Sequence, residues 1–64
     1  MIVQVTLKGL KPGEDDYETH VATISGLIMD EIDGNILSYI YEWRNANGYY
    51  KMKYIHKEVI SCDN

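Results

Sequence analysis

Ile28-Met29-Asp30-Glu31-Ile32-Asp33-Gly34-Asn35-Ile36-Leu37-Ser38-Tyr39-Ile40-Tyr41-Glu42-Trp43 is the stretch on which the fold of this chain turns. Wound at about 100° per residue, Ile28, Met29, Ile32, Ile36, Tyr39, Ile40 and Trp43 fall within an arc of roughly 120°, and the polar residues Asp30, Glu31, Asp33, Asn35, Ser38 and Glu42 lie outside it. That is the pattern of an amphipathic helix. Its ends agree: Asp30, Glu31 and Asp33 sit near the positive N-terminal pole, Arg44 near the negative C-terminal pole, and Gly48 is placed to terminate the helix. Gly34 speaks against it, at about 1 kcal/mol relative to Ala. A competing reading makes Asp33-Gly34-Asn35 and Asn47-Gly48 hairpin turns, with Ile36–Trp43 a strand of an all-β small barrel. Such a strand would carry large apolar groups on both faces and would have to be covered twice. The helix is therefore preferred.

Upstream, residues 1–9 alternate strictly, with Met1, Val3, Val5 and Leu7 on one face and Ile2, Gln4, Thr6 and Lys8 on the other, which predicts a half-buried strand. Lys11-Pro12-Gly13-Glu14-Asp15-Asp16 joins a turn signal to three carboxylates and reads as an exposed loop. Residues 18–25 are rich in β-branched side chains and set His20, Ala22 and Ile24 against Val21 and Thr23, a second strand antiparallel to the first. Downstream, Tyr50, Met52 and Tyr54 alternate with Lys51 and Lys53 as a third strand, and Val59-Ile60-Ser61-Cys62 reads as a short fourth segment. The expected fold is α+β, a small β-β-α-β domain whose antiparallel-rich three-stranded sheet has the first strand in the middle and the helix on one face.

With 64 residues the chain makes a single domain spanning 1–64, near the lower size limit for one hydrophobic core. A composition of 45% hydrophobic and 25% charged residues is that of a globular protein, not a disordered one. One cysteine, Cys62, closes no intrachain disulfide, and Met1-Ile2-Val3-Gln4 lacks the basic start and apolar run of a secretory signal. No stretch approaches the roughly 20 apolar residues of a membrane span. The expected setting is the cytoplasm, without membrane attachment.

Charge is distributed unevenly. Residues 1–42 carry two lysines against eight carboxylates and residues 43–64 four cations against two, so the halves hold −6 and +2 of the net −4. The acidic loop and outer helix face suggest docking onto a protein with a basic surface, through Asp15, Asp16, Asp30, Glu31 and Asp33, with Leu37 and Tyr41 as apolar anchors on the polar side of the helix. The alternative is a nucleic-acid-binding sheet face in which Lys8, Lys51 and Lys53 neutralise phosphates and Tyr49 stacks on bases. A third possibility is self-association, as a homodimer, through open sheet edges. Tyr39, Trp43, Tyr50 and Tyr54 are expected in the core.

Catalysis has little to draw on. His20 and His56 lie in separate elements, no Cys or His spacing suggests zinc, the acidic loop lacks calcium-ligand spacing, and neither Gly9 nor Gly13 opens a phosphate-binding helix. Nothing calls for a cofactor. The expected function is that of a small acidic protein-binding regulator or inhibitor, not an enzyme. Size, acidity, tyrosine content and element order resemble the small accessory proteins with which phages and mobile elements modulate a host enzyme. That likeness is one of type and assigns no residue.

Overall fold

The computed structural model describes residues 1–61. They form β1 (Ile2–Leu10), β2 (Glu18–Ser25), α1 (Met29–Asn47) and β3 (Lys51–Ser61). The sheet has the order β2-β1-β3, with β1 antiparallel to both neighbours. The domain is thus an open three-stranded sheet with one helix, and the barrel alternative falls.

The alternation in β1 does what its pattern predicts. Val3, Val5 and Leu7 are buried against Ile24 of β2 and Ile32 and Ile36 of α1, with Met29, Tyr39, Ile40, Trp43 and Met52 packed around them. The other face of the sheet, carrying Gln4, Thr19, Thr23, Lys53 and Glu58, is exposed. Ile28 precedes the helix and is exposed.

Both ends of α1 are held by specific contacts. At the start, the Leu27 N–H, one residue ahead of the N-cap Ile28, donates to the Glu31 carboxylate at 3.0 Å and ties the entering chain to the first turn. At the end, Gly48 adopts φ 71°, a left-handed conformation that suits glycine, and the amides of Gly48 and Tyr49 both donate to the Arg44 carbonyl. Tyr50 N–H then donates to Leu10 O and starts β3. Tyr49, placed by this reversal, drops its ring onto Gly9, where a β-carbon would lie 2.7 Å from the ring. The small residue in β1 makes that packing possible.

β3 departs from the expected division into a third strand and a fourth segment. It is one strand of 11 residues, and residues 59–61 continue it; Cys62 lies outside the described residues. Two register shifts explain why its pattern is hard to read. Leu7 faces Tyr54 and Thr6 faces His56, leaving Ile55 as an extra residue; Val3 faces Val59 and Ile2 faces Ser61, leaving Ile60 extra. The first bulge inverts the alternation, so that Met52 and Tyr54 before it share a face with Lys57 and Val59 after it.

One helix cannot cover this sheet. Three strands about 4.8 Å apart present a face roughly 14 Å wide, whereas a helix with its side chains is about 10–12 Å across. α1 buries Ala22 and Ile24 of β2, and the cost falls on β3, where Tyr54 and Val59 remain exposed on the same face. Tyr50 and Tyr54, expected in the core, are both on the surface: Tyr50 lies just before β3, and Tyr54 sits on the strand that the helix covers only in part.

Candidate docking strip between the helix and the third strand

The uncovered part of β3 and the flank of α1 enclose a groove of about 320 Å³ lined by Asp33, Ile36, Leu37 and Ile40 from the helix and by Tyr54 and Lys57 from the strand. Helical spacing sets its wall: Asp33 and Leu37, with Ile36 and Ile40, stand at intervals of three and four residues, and Tyr41 follows Leu37 one turn on, outside the lining. Leu37 is 69% and Tyr41 67% exposed, and as neighbours one helical turn apart they make a contiguous apolar patch. Across the groove, the Lys57 ammonium donates to Asp33 Oδ1 at 2.5 Å, which fixes the spacing of helix and strand at one end. That hydrogen bond holds the Lys57 ammonium above its ordinary lysine value. Beyond the groove, β3 exposes Val59 on the same face, together with Ile55 and Ile60 at the two register shifts.

The acidic residues do not form one surface. Asp15 and Asp16 lie in the β1–β2 loop, beside the C-terminal end of α1, whereas Asp30, Glu31 and Asp33 lie in and next to its first turn. Nine residues of β1 separate those ends, about 30 Å at 3.3 Å per residue. Glu31 is occupied with the Leu27 amide and Asp33 with Lys57. Of the sequence candidates, the fold brings Asp33 and Leu37 together in the groove, with Tyr41 one helical turn beyond them. Sequence reading does not single out Tyr54, Ile55, Val59 and Ile60 as surface candidates, placing Tyr54 in the core and Val59 and Ile60 in a fourth segment, although two adjacent large apolar residues at 54–55 break a strict alternation and mark the bulge.

The lysine candidates are partly united. Lys8 and Lys53 are directly opposite one another in the β1–β3 ladder, Lys51 is opposite Leu10, and all lie on the sheet face away from the helix. Tyr49 does not join them. It is 6% exposed on the helix side, with its ring beside Trp43 at a centroid distance of 4.8 Å and its hydroxyl donating to Glu18 at 3.1 Å. Burial, and then the Glu18 contact, push the Tyr49 phenol above its ordinary value. The aromatic rings near the lysines are Tyr17, with the Lys53 ammonium 4.5 Å from its centroid, and Tyr50, with the Lys51 ammonium 5.6 Å from its centroid.

The histidines take different places. His20 stacks on Trp43 at 4.4 Å and its Nε2 meets the Tyr39 hydroxyl at 2.5 Å, completing the aromatic cluster over β2. His56 lies exposed on β3, opposite Thr6. No helix among the described residues is long and apolar enough to cross a membrane. No protein-family model matches the chain, and no curated protein or solved structure is significantly similar to it.

Proposed function

We propose that this protein is a small regulator that works by binding another polypeptide, and that the α1–β3 strip is where the partner docks. One observation carries the reading: an apolar groove at the edge of the sheet, lined by Ile36, Ile40 and the exposed Leu37 and Tyr54, has further exposed apolar side chains beside it, Tyr41 one turn along the helix and Val59 on the same face of β3. The occupant suited to such a site is an extended segment. It adds to the open edge of β3 through main-chain hydrogen bonds and fills the groove with alternate side chains. In this reading charge helps less than the composition suggests, because the carboxylates stand at two ends of the molecule and two of them are already engaged. A photo-crosslinking residue at Leu37 should capture a polypeptide that the same residue at Thr23, on the far sheet face, does not. Equal labelling from both positions, or from neither, would dispose of the docking strip.

A second reading has a specific observation in its favour, the direct opposition of Lys8 and Lys53 on the uncovered face, with Lys51 and Tyr17 nearby. Like charges placed directly opposite are unfavourable in a sheet unless something neutralises them, and a phosphate backbone is one candidate. Retardation of single-stranded DNA or RNA at low salt, lost in Lys8→Glu, is the outcome this second reading requires.

A further inference from the structure

The open edge of β3 is complementary to itself. β1 sees β3 as a ladder of nine rungs, with Lys51, Met52, Lys53, Tyr54, His56, Lys57, Glu58, Val59 and Ser61 facing Leu10 through Ile2, while Ile55 and Ile60 are the extra residues at the two register shifts. An antiparallel pair of identical strands has its two-fold axis on a rung, and overlap is greatest when that rung is the middle one, His56. This choice is made by geometry alone, yet it sets Lys53 opposite Glu58 of the second copy twice over. It also sets Met52 opposite Val59 and Tyr54 opposite Lys57, all four on the helix face, so that the apolar side chains and the lysine stem meet their like. Without the bulge at Ile55 the faces would not match, because Met52 and Tyr54 would lie on one side and Lys57 and Val59 on the other.

Three further features agree. Neither Lys53 nor Glu58 is ion-paired among the described residues, and Lys53 stands opposite Lys8 in its own chain, so a carboxylate from the second copy relieves a like-charge contact. β3 is the longer of the two edge strands, at 11 residues against eight for β2. It also carries Tyr54, Ile55, Val59 and Ile60 exposed, whereas β2 exposes only Val21 among large hydrophobic residues. We infer that the occupant of the strip is a second copy of this chain, joined β3 to β3 about His56 into a six-stranded sheet, with both helices on one face and the two grooves brought together across the axis. This inference rests on the docking reading above and names its partner.

A charge-reversal pair tests both the partner and the register. Sedimentation equilibrium of the purified chain should give a dimer. Lys53→Glu alone and Glu58→Lys alone should each weaken it by roughly tenfold or more, because two favourable cross-strand pairs become two like-charge pairs. Mixing the two variants should restore association to near the wild-type level, since in the mixed dimer both contacts again join opposite charges. Lys53→Glu also places a carboxylate opposite Lys8 within its own chain, so weakened association in that variant is not a sign of misfolding; far-UV circular dichroism verifies this directly. A wild-type chain that stays monomeric at about 1 mM, a concentration at which even weak complexes populate, overturns the second-copy inference. So does a dimer that the mixed variants do not rescue. A monomer that still crosslinks a different polypeptide through Leu37 leaves the docking reading standing while the second copy falls. A dimer unaffected by Leu37→Asp and Tyr54→Asp, with no crosslink at Leu37, removes both.

Discussion

β2 and β3 flank the same central strand and offer the same face to the same helix, but the two are treated oppositely. On β2, Ala22 and Ile24 are each 8% exposed; on β3, Tyr54 is 49% and Val59 41% exposed. The contrast follows from widths, since a single helix spans about two strands of three. The connections do not make the difference: three residues, 26–28 and 48–50, join α1 to each strand, and each link is tied to β1, Gly26 N–H donating to the Met1 carbonyl and Tyr50 N–H to that of Leu10. The β2 half is packed under the helix, and the β3 half leaves apolar surface exposed. In a domain whose total stability, at about 0.05–0.15 kcal/mol per residue, is roughly 3–10 kcal/mol, leaving that surface open is a substantial concession.

The sharpest way to break the contrast is truncation on each side of it. Ile32→Ala, at a fully buried position, should cost about 2–5 kcal/mol and leave the domain unfolded or nearly so in urea titration, whereas Leu37→Ala should shift stability by no more than about 0.5 kcal/mol. Equal losses would mean that the groove is part of the core. Next in size is Gly9→Ala, which pushes a methyl group into the Tyr49 ring and should destabilise by about 1–3 kcal/mol as overpacking does. Loss of the Trp43 near-ultraviolet signal would accompany it. Gly34→Ala runs the other way: nothing lies within 4 Å of the added carbon, so a gain of about 0.4–1 kcal/mol is expected in thermal unfolding, without effect on binding.

The smallest effect is with pH. Tyr49 and Lys57 both hold their protons more tightly when folded than when unfolded, the first through burial and the Glu18 contact, the second through Asp33. Their contributions are complete below the ordinary values of 10.0 and 10.5 and are lost as pH rises through the higher folded values. Stability should therefore fall with rising pH in the alkaline range. Tyr49→Phe should flatten that fall, and an unchanged slope in this variant would assign the loss elsewhere.

Much of the architecture is written locally. The period-2 pattern of β1 and β2, the 3.6-residue period of α1 and Gly48 at its end specify two strands, a helix and its stop, because burial on one face imposes a repeat that the chain itself carries. Gly34, which argued for a hairpin, is tolerated because it lies on the exposed side of the helix. The sequence also determines that Leu37 and Tyr41 stand on the helix's polar side. Only tertiary structure decided what they meet there. The bulge at Ile55 depends on pairing with β1, so the run from Lys51 to Ser61 has no single period to read, and its face-switching appears only in the ladder. The same holds for Tyr49, whose burial depends on an absent side chain 40 positions earlier at Gly9, and for the acidic residues, which share a composition but occupy opposite ends of a sheet. Periodicity records which side of an element is covered; which neighbour covers it, and how much of the sheet is left uncovered, is set by widths and strand pairings that no local pattern contains.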